Sequence, residues 1–142
     1  YSTVPDMAQF VIAHLNQGQV GDVQLLTPEM LAEMHKPQVY SSADLGMEAY
    51  GYGWTHYRQE PWQFWGTFLQ FYGAGGHGGG DIGYRTRIYA VEENAGGFGV
   101  IVLTNTQNFF KWDNLWLFST YLQLETLLME EAQRLWMIEH GG

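Results

Sequence analysis

A run of glycines around a single histidine is the part of this sequence best suited to chemistry. His77 lies within the glycines of residues 76–80, and a strong β pattern begins soon after them. Glycines at this density let a backbone approach a ligand closely and direct its N–H groups at developing negative charge. His77 adds a side chain that can exchange a proton near neutral pH. The segment therefore predicts one wall of an active site.

The same glycines also match a dinucleotide-binding spacing, Gly-x-Gly-x-x-Gly, which begins at Gly73 and again at Gly78. That fingerprint requires a helix after the glycines, whereas the residues from Tyr84 onward alternate as a strand does. Such matches also arise by chance in a glycine-rich segment, so a dinucleotide-dependent oxidoreductase is a distant alternative. The sequence has no Gly-Lys-Ser/Thr, which excludes a Walker loop. No cofactor is predicted.

Four histidines recur at intervals of 21 residues: His14, His35, His56 and His77. Their neighbours are unrelated, and the sequence has neither His-Glu-x-x-His nor a pair of histidines at i, i+4. We therefore interpret the spacing as coincidence and predict no metal site. His14 falls on the apolar face of a predicted helix and is expected to be a partly buried core residue.

Composition limits the classes of partner. The 142 residues carry 6 basic and 15 acidic side chains, a net charge of −9, which repels phosphate backbones and anionic membranes. Nucleic acid is therefore an unexpected partner, and no apolar run approaches the roughly 18 residues of a membrane span. The absence of cysteine excludes disulfides, thiolate zinc sites and a cysteine nucleophile, but leaves the compartment open.

Three helices are expected. Thr3 is placed as the N-cap of the first, with Pro5 and Asp6 in its first turn, and residues 16–18 end it. Thr27 starts a second, which stops at Pro37. A long third helix is predicted from about Asp113 to Trp136. Its apolar stripe, expected to cover the sheet, consists of Leu117, Tyr121, Leu124, Leu128, Ala132 and Leu135, with Glu125, Glu130, Glu131 and Arg134 elsewhere.

The strand signals are strongest in the second half of the chain. Residues 84–91 and 98–104 predict a β-hairpin joined by a polar connection, and the second of these strands is apolar on both faces, which implies a central strand. Residues 50–57 are predicted as one strand, and residues 62–72 as a long aromatic loop. The first and third helices could share one face of the sheet. Further strands and another layer would then have to come from sequence not present here.

Five segments, in order, resemble the serine β-lactamase-like family: residues 1–10, 26–29, 50–54, 76–83 and 102–105. This family includes class C β-lactamases, penicillin-binding D-alanyl-D-alanine carboxypeptidases, D-aminopeptidases and related esterases. The resemblance implies an α/β sandwich of the α+β type, with helices flanking an antiparallel sheet. It also favours a periplasmic or extracellular location.

The resemblance assigns roles within the glycine-rich segment. His77-Gly78-Gly79 matches the third active-site motif of the family, and Gly80 matches the residue whose backbone N–H completes the oxyanion hole. His77 replaces the lysine of true β-lactamases, which favours a peptidase or esterase acting on a small amide or ester. Gly78 and Gly79 would then line the substrate site.

The other two motifs of the family are absent. No serine in the sequence has lysine three residues later, and no Tyr-x-Asn occurs. The chain thus resembles the C-terminal part of a catalytic domain, with a family-like segment at residues 1–112 and a C-terminal helix at residues 113–142. We expect the nucleophilic serine and its lysine to come from a missing upstream segment or a companion chain, and this chain alone to be inactive. A binding module derived from the same fold is the rival interpretation.

Three further residues are candidates for substrate binding. Tyr52 and Trp54 could line a side-chain pocket or simply pack in the core. Arg85, on the same strand face as Arg87, could bind a substrate carboxylate, although arginines on an acidic protein more often pair with acidic side chains. Asp81 is expected to serve the turn that follows the glycines.

Overall fold

A computed structural model describes residues 1–41, 47–64, 67–69, 72–81, 83–92, 97–105 and 115–141. The side chains of residues 62–64, 67–69 and 115–122 lie outside this description, as does most of the predicted hairpin connection. Within the described ranges the protein is α+β, with three helices and a six-stranded antiparallel sheet. None of these helices combines the length and apolar character needed to cross a membrane.

The first two helices are where their capping residues predict them. Helix α1 spans Val4–Leu15, and the Asp6 N–H donates to Thr3 Oγ1 at 3.3 Å. Helix α2 spans Pro28–His35, with the Thr27 hydroxyl accepting from the Met30 N–H. Strands β1 (Gln19–Val20) and β2 (Val23–Gln24) form a small separate hairpin between them.

The main sheet has the order β10-β9-β8-β5-β4-β3, and every neighbouring pair is antiparallel. Its strands are β3 (Val39–Tyr40), β4 (Met47–Tyr50), β5 (Thr55–Tyr57), β8 (Gly75–Asp81), β9 (Tyr84–Val91) and β10 (Phe98–Thr104). The β9–β10 hairpin has the predicted strand limits, which confirms that prediction. The predicted aromatic loop instead contains a two-stranded hairpin, β6 (Trp62–Phe64) and β7 (Thr67–Leu69).

The prediction of one strand over residues 50–57 is wrong, because a tight turn divides it. The Gly51 N–H donates to the Trp54 carbonyl at 2.7 Å. Gly53 has a φ of 71°, a backbone angle that residues other than glycine rarely adopt. The chain therefore reverses after Tyr50, and β5 runs back beside β4. This reversal places the end of β4 near the glycine-rich strand β8.

The prediction of a central position for β10 is also wrong: β10 is at one end of the described sheet order. Both apolar faces of β10 are nevertheless covered, because α1 and α3 lie on opposite faces of the sheet. The two helices therefore do not share one face of the sheet, contrary to the expectation from the sequence. Val11 of α1 packs in one core cluster with Ile88 and Ala90. Met129 of α3 packs in the other, with Phe98, Val100 and Val102. One helix on each face satisfies the alternating pattern of β10.

Helix α3 spans Leu115–His140, close to its predicted range, but turns a different face to the sheet. Leu124, Leu128 and Leu135 of the predicted stripe are exposed, whereas Glu125 and Met129 are fully buried. Burial of the Glu125 carboxylate is possible because the Tyr89 hydroxyl donates to its Oε2 at 2.7 Å. Ala132 of the predicted stripe does pack partly on the core, and the side chains of Leu117 and Tyr121 lie outside the described residues. The face that packs on the sheet is therefore rotated by one residue, about 100°, from the predicted face.

Candidate functional site

Strand β8 carries the glycine-rich segment into an open part of the sheet. It pairs with β9 along its whole length, from Gly75 to Asp81, but with β5 only at Gly75 and Gly76. From His77 onward the strand extends beyond the end of β5. His77 is consequently exposed, although it lies in a regular strand.

Tyr50 meets His77 across this opening. The Tyr50 hydroxyl is 3.0 Å from His77 Nε2, and the two ring centroids are 5.9 Å apart. Tyr50 reaches the imidazole because it is the last residue of β4, immediately before the turn. When the imidazole proton is on Nδ1, the phenol donates to Nε2 and fixes the ring orientation. The pair can hold and pass a proton at the surface of β8.

Two cavities meet at His77 and Gly78. A cavity of about 320 Å³ includes Tyr50, Tyr57 and Arg87. A larger depression of about 1060 Å³ extends from the N-terminal end of α1 across the sheet. Both are lined by His77 and Gly78, so a ligand in either cavity would contact the same short piece of β8.

The floor of the smaller cavity explains why position 78 is glycine. A Cβ at Gly78 would lie 2.1 Å from Arg87 Nη1, because the guanidinium crosses directly over the strand. Arg87 Nη1 donates to the Tyr57 hydroxyl at 3.0 Å, and its Nε lies 3.6 Å from Glu125 Oε1. A buried carboxylate on α3 thereby holds the arginine beneath the cavity.

The buried phenols of this network stay protonated at neutral pH. Burial raises the pKa of Tyr57. The pKa of Tyr89 is raised well above its ordinary value, first by burial and then by the adjacent Glu125 carboxylate. These hydroxyls therefore act as hydrogen-bond groups and not as bases.

The structure brings only some of the predicted site residues together. Gly79 lines the larger cavity with His77 and Gly78, and a Cβ built on Gly80 would meet no atom of the described residues within 4 Å apart from its chain neighbours. Arg85 pairs with Gly80 in the β8–β9 register. Tyr52 is 60% exposed and Trp54 only 3%, and neither lines the two cavities at His77.

Trp54 belongs to a separate cluster of histidines. Its ring stacks against those of both His14 and His35, at centroid distances of 4.1 and 4.4 Å. His14 Nδ1 is 2.7 Å from His35 Nε2, and His35 Nδ1 is 3.4 Å from Glu92 Oε1. His56 Nε2 contacts the His35 carbonyl oxygen. Three of the four regularly spaced histidines thus meet in space.

Burial controls the protonation of His14 in this cluster. Burial first, and then the electrostatic effect of the nearby His35, lower the pKa of His14 to about 4, so His14 is neutral at pH 7. The hydrogen bond from His35 lowers the pKa of Glu92. His14 is buried, as its place on the apolar face of α1 predicts. Among the described residues, no group of three or more acidic, histidine or cysteine side chains could hold a metal ion.

Sequence reasoning did not identify Tyr50 or Glu125 as part of the site. Glycines on either side of Tyr52 are a signal for the turn that frees Tyr50 to reach His77. Glu125 has no comparable signal, since its sequence neighbours are those of an ordinary amphipathic helix. Comparison of the chain with models of known families, with curated proteins and with solved structures finds no match.

Proposed function

We propose that this chain forms one wall of the active site of a serine hydrolase of the β-lactamase-like type, which cleaves a small amide or ester. The observation that carries the proposal is the hydrogen-bonded pair of Tyr50 and His77 on an exposed glycine-rich strand between two cavities. The antiparallel sheet with a helix on each face is compatible with a transpeptidase-like fold. A missing segment or companion chain would supply the nucleophilic serine and its lysine.

The reaction would be acyl transfer to water. The serine Oγ attacks the substrate carbonyl, its proton passes through the neighbouring base to the leaving amine or alcohol, and an acyl-enzyme forms. Water then attacks the acyl-enzyme and releases the acid. The backbone N–H of Gly80 would be one oxyanion donor, a contribution of about 3 kcal/mol to transition-state stabilisation.

His77 would stand beside the reacting groups, with Tyr50 holding its ring. The hydrogen bond leaves one imidazole nitrogen directed away from the phenol, available to the substrate or to the supplied catalytic groups. Gly78 and Gly79 would allow the substrate to lie close to the strand. Arg87 lies beneath them and would complete the polar floor of the smaller cavity.

The test uses the full gene product with a p-nitrophenyl ester and a fluorophosphonate label. Replacing Tyr50 by Phe removes one hydroxyl and keeps the ring, and we expect kcat/KM to fall about tenfold, the size of effect typical for one oriented group. His77→Ala should lower it at least as much. Tyr52→Phe is the matched control, since Tyr52 is exposed and lines neither cavity. A full-length protein that neither turns over ester nor takes the label would refute the proposal.

A second candidate function is a catalytically inactive binding module of the same fold. The observation that favours it is the row of large apolar side chains that α3 leaves exposed. A full gene product without Ser-x-x-Lys upstream of these residues would favour the module over the hydrolase.

A further inference from the structure

Helix α3 carries two apolar stripes, and the sheet covers only one of them. The covered stripe consists of Glu125, Met129, Ala132 and Trp136, of which the first two are fully buried and the others pack partly on the core. The second stripe is displaced by one residue around the helix. This outer stripe consists of four apolar residues, Leu124, Leu128, Leu135 and Ile138, with Glu131 at its centre.

The outer stripe is exposed along its whole described length. Leu124, Leu128, Leu135 and Ile138 are 45, 37, 48 and 64% exposed, and Leu127 beside them is 61% exposed. Soluble proteins seldom leave so many large apolar side chains together on one helix face without a partner. The described strands and helices leave these side chains exposed.

The spacing of the outer stripe indicates what kind of element fits it. Its positions are separated by four, three, four and three residues, which is the a/d pattern of a coiled-coil seam. A strand or an irregular loop would not match this repeat, whereas a second helix crossing at a small angle would place one apolar side chain between each pair. The same spacing continues backwards in the sequence through Tyr121 to Leu117.

The charges beside the stripe indicate the chemistry of that second helix. Glu131 lies on the stripe itself and is paired with Arg134, whose guanidinium donates to both of its oxygens at 2.6 and 2.7 Å. Glu130 and Glu139 are also exposed on this part of α3, which gives it a net negative charge. The chain as a whole has a net charge of −9. A second copy of this chain would bring like charges together, whereas a basic helix would meet complementary ones.

We propose that the outer stripe of α3 binds an amphipathic helix that carries leucine-like residues at a/d spacing and lysine or arginine beside them. This binding surface is independent of the acyl-transfer proposal, because none of its residues lines the cavities at His77. The partner side chains would cover Leu124, Leu128 and Leu135.

The test uses the whole chain and a fluorescent peptide of about three heptads, with Leu at a and d and Lys at e and g. We expect saturable binding by anisotropy, at least about tenfold tighter than for a scrambled peptide of the same composition and for a peptide with Glu in place of Lys. The scrambled peptide has the same charge, so it separates helical register from simple attraction to an acidic protein.

The matched variants are Leu128→Ser on the stripe and Leu25→Ser, which replaces a comparably exposed leucine elsewhere. The first should weaken binding about tenfold and the second should leave it unchanged. Circular dichroism verifies that both variants fold. Equal binding of the scrambled peptide, or of Leu128→Ser, overturns the proposal. So does a dimer of the unmodified chain, seen by sedimentation, that Leu128→Ser dissociates, because the occupant would then be a second copy.

Discussion

The buried His14 should make the folded state sensitive to mild acid. Its pKa is about 4 in the folded protein, against 6.5 for an ordinary histidine, so between these values the unfolded chain binds a proton that the folded chain does not. As far as His14 is concerned, the free energy of unfolding is therefore at its plateau above about pH 6.5. It falls as the pH drops toward 4, by about 1.4 kcal/mol per pH unit. From about pH 7.5 to about pH 5 the expected loss is about 2 kcal/mol.

The groups that face His14 determine the pH range over which the protein loses stability. His35 lies against it and is paired with Glu92, while His56 contacts the His35 backbone. The lowered pKa of Glu92 adds a loss of stability in the same direction, but only below the ordinary carboxylate range. Measurements above about pH 5 therefore separate the histidine effect from the carboxylate effect.

The assay is urea unfolding at about pH 7.5 and about pH 5, followed by the tryptophan fluorescence of the chain, to which Trp54, whose ring stacks on His14, contributes. His14→Phe keeps a planar ring in the stack and removes the titration. It should reduce the difference in unfolding free energy between the two pH values by about 2 kcal/mol, whatever its effect on absolute stability. His140→Gln, which removes an exposed imidazole, is the control. An unchanged pH difference in His14→Phe would refute the reasoning.

Two further predictions concern the network beneath the glycines. Gly78→Ala should destabilise the fold by about 1 to 3 kcal/mol, because its Cβ would displace the Arg87 guanidinium from Tyr57 and Glu125. Gly80→Ala, whose Cβ would meet no atom of the described residues beyond its chain neighbours, should cost less than about 1 kcal/mol. Equal urea midpoints for the two variants would contradict the position of Arg87 over Gly78. Tyr89→Phe should cost about 1 to 3 kcal/mol, because the buried Glu125 carboxylate loses its hydrogen-bond donor. A Tyr89→Phe melting curve that matches the unmodified protein would show that another group satisfies the carboxylate.

Local signals predict much of the framework. The caps at Thr3 and Thr27 define two helix starts because each depends on residues within one turn. The limits of β9 and β10 follow from their apolar runs and the polar connection between them. The failure over residues 50–57 is also local: the alternation of glycine and aromatic residues predicts one strand, but Gly51 and Gly53 form a turn within it.

The candidate site could be predicted only in part. His77 and its glycines stand out in the sequence because their composition is rare and their spacing matches a known motif. Tyr50 lies 27 residues away in sequence, so its hydrogen bond to His77 depends on how β4, β5 and β8 pair. Trp54 and Tyr52 have similar aromatic character, and only the packing of His14 and His35 buries the first and leaves the second exposed.

The amino-acid sequence alone therefore determined the limits of α1 and α2, the last hairpin and the position of the glycine-flanked histidine, since each depends on neighbours within a few residues. Tertiary structure decided which face of α3 is buried and which residues surround His77. A helical period sets the spacing of apolar residues, but the choice between two adjacent stripes depends on partners across the sheet. Here the Tyr89 hydroxyl donates a hydrogen bond to Glu125, so Glu125 is buried against the sheet while Leu124 and Leu128 are exposed.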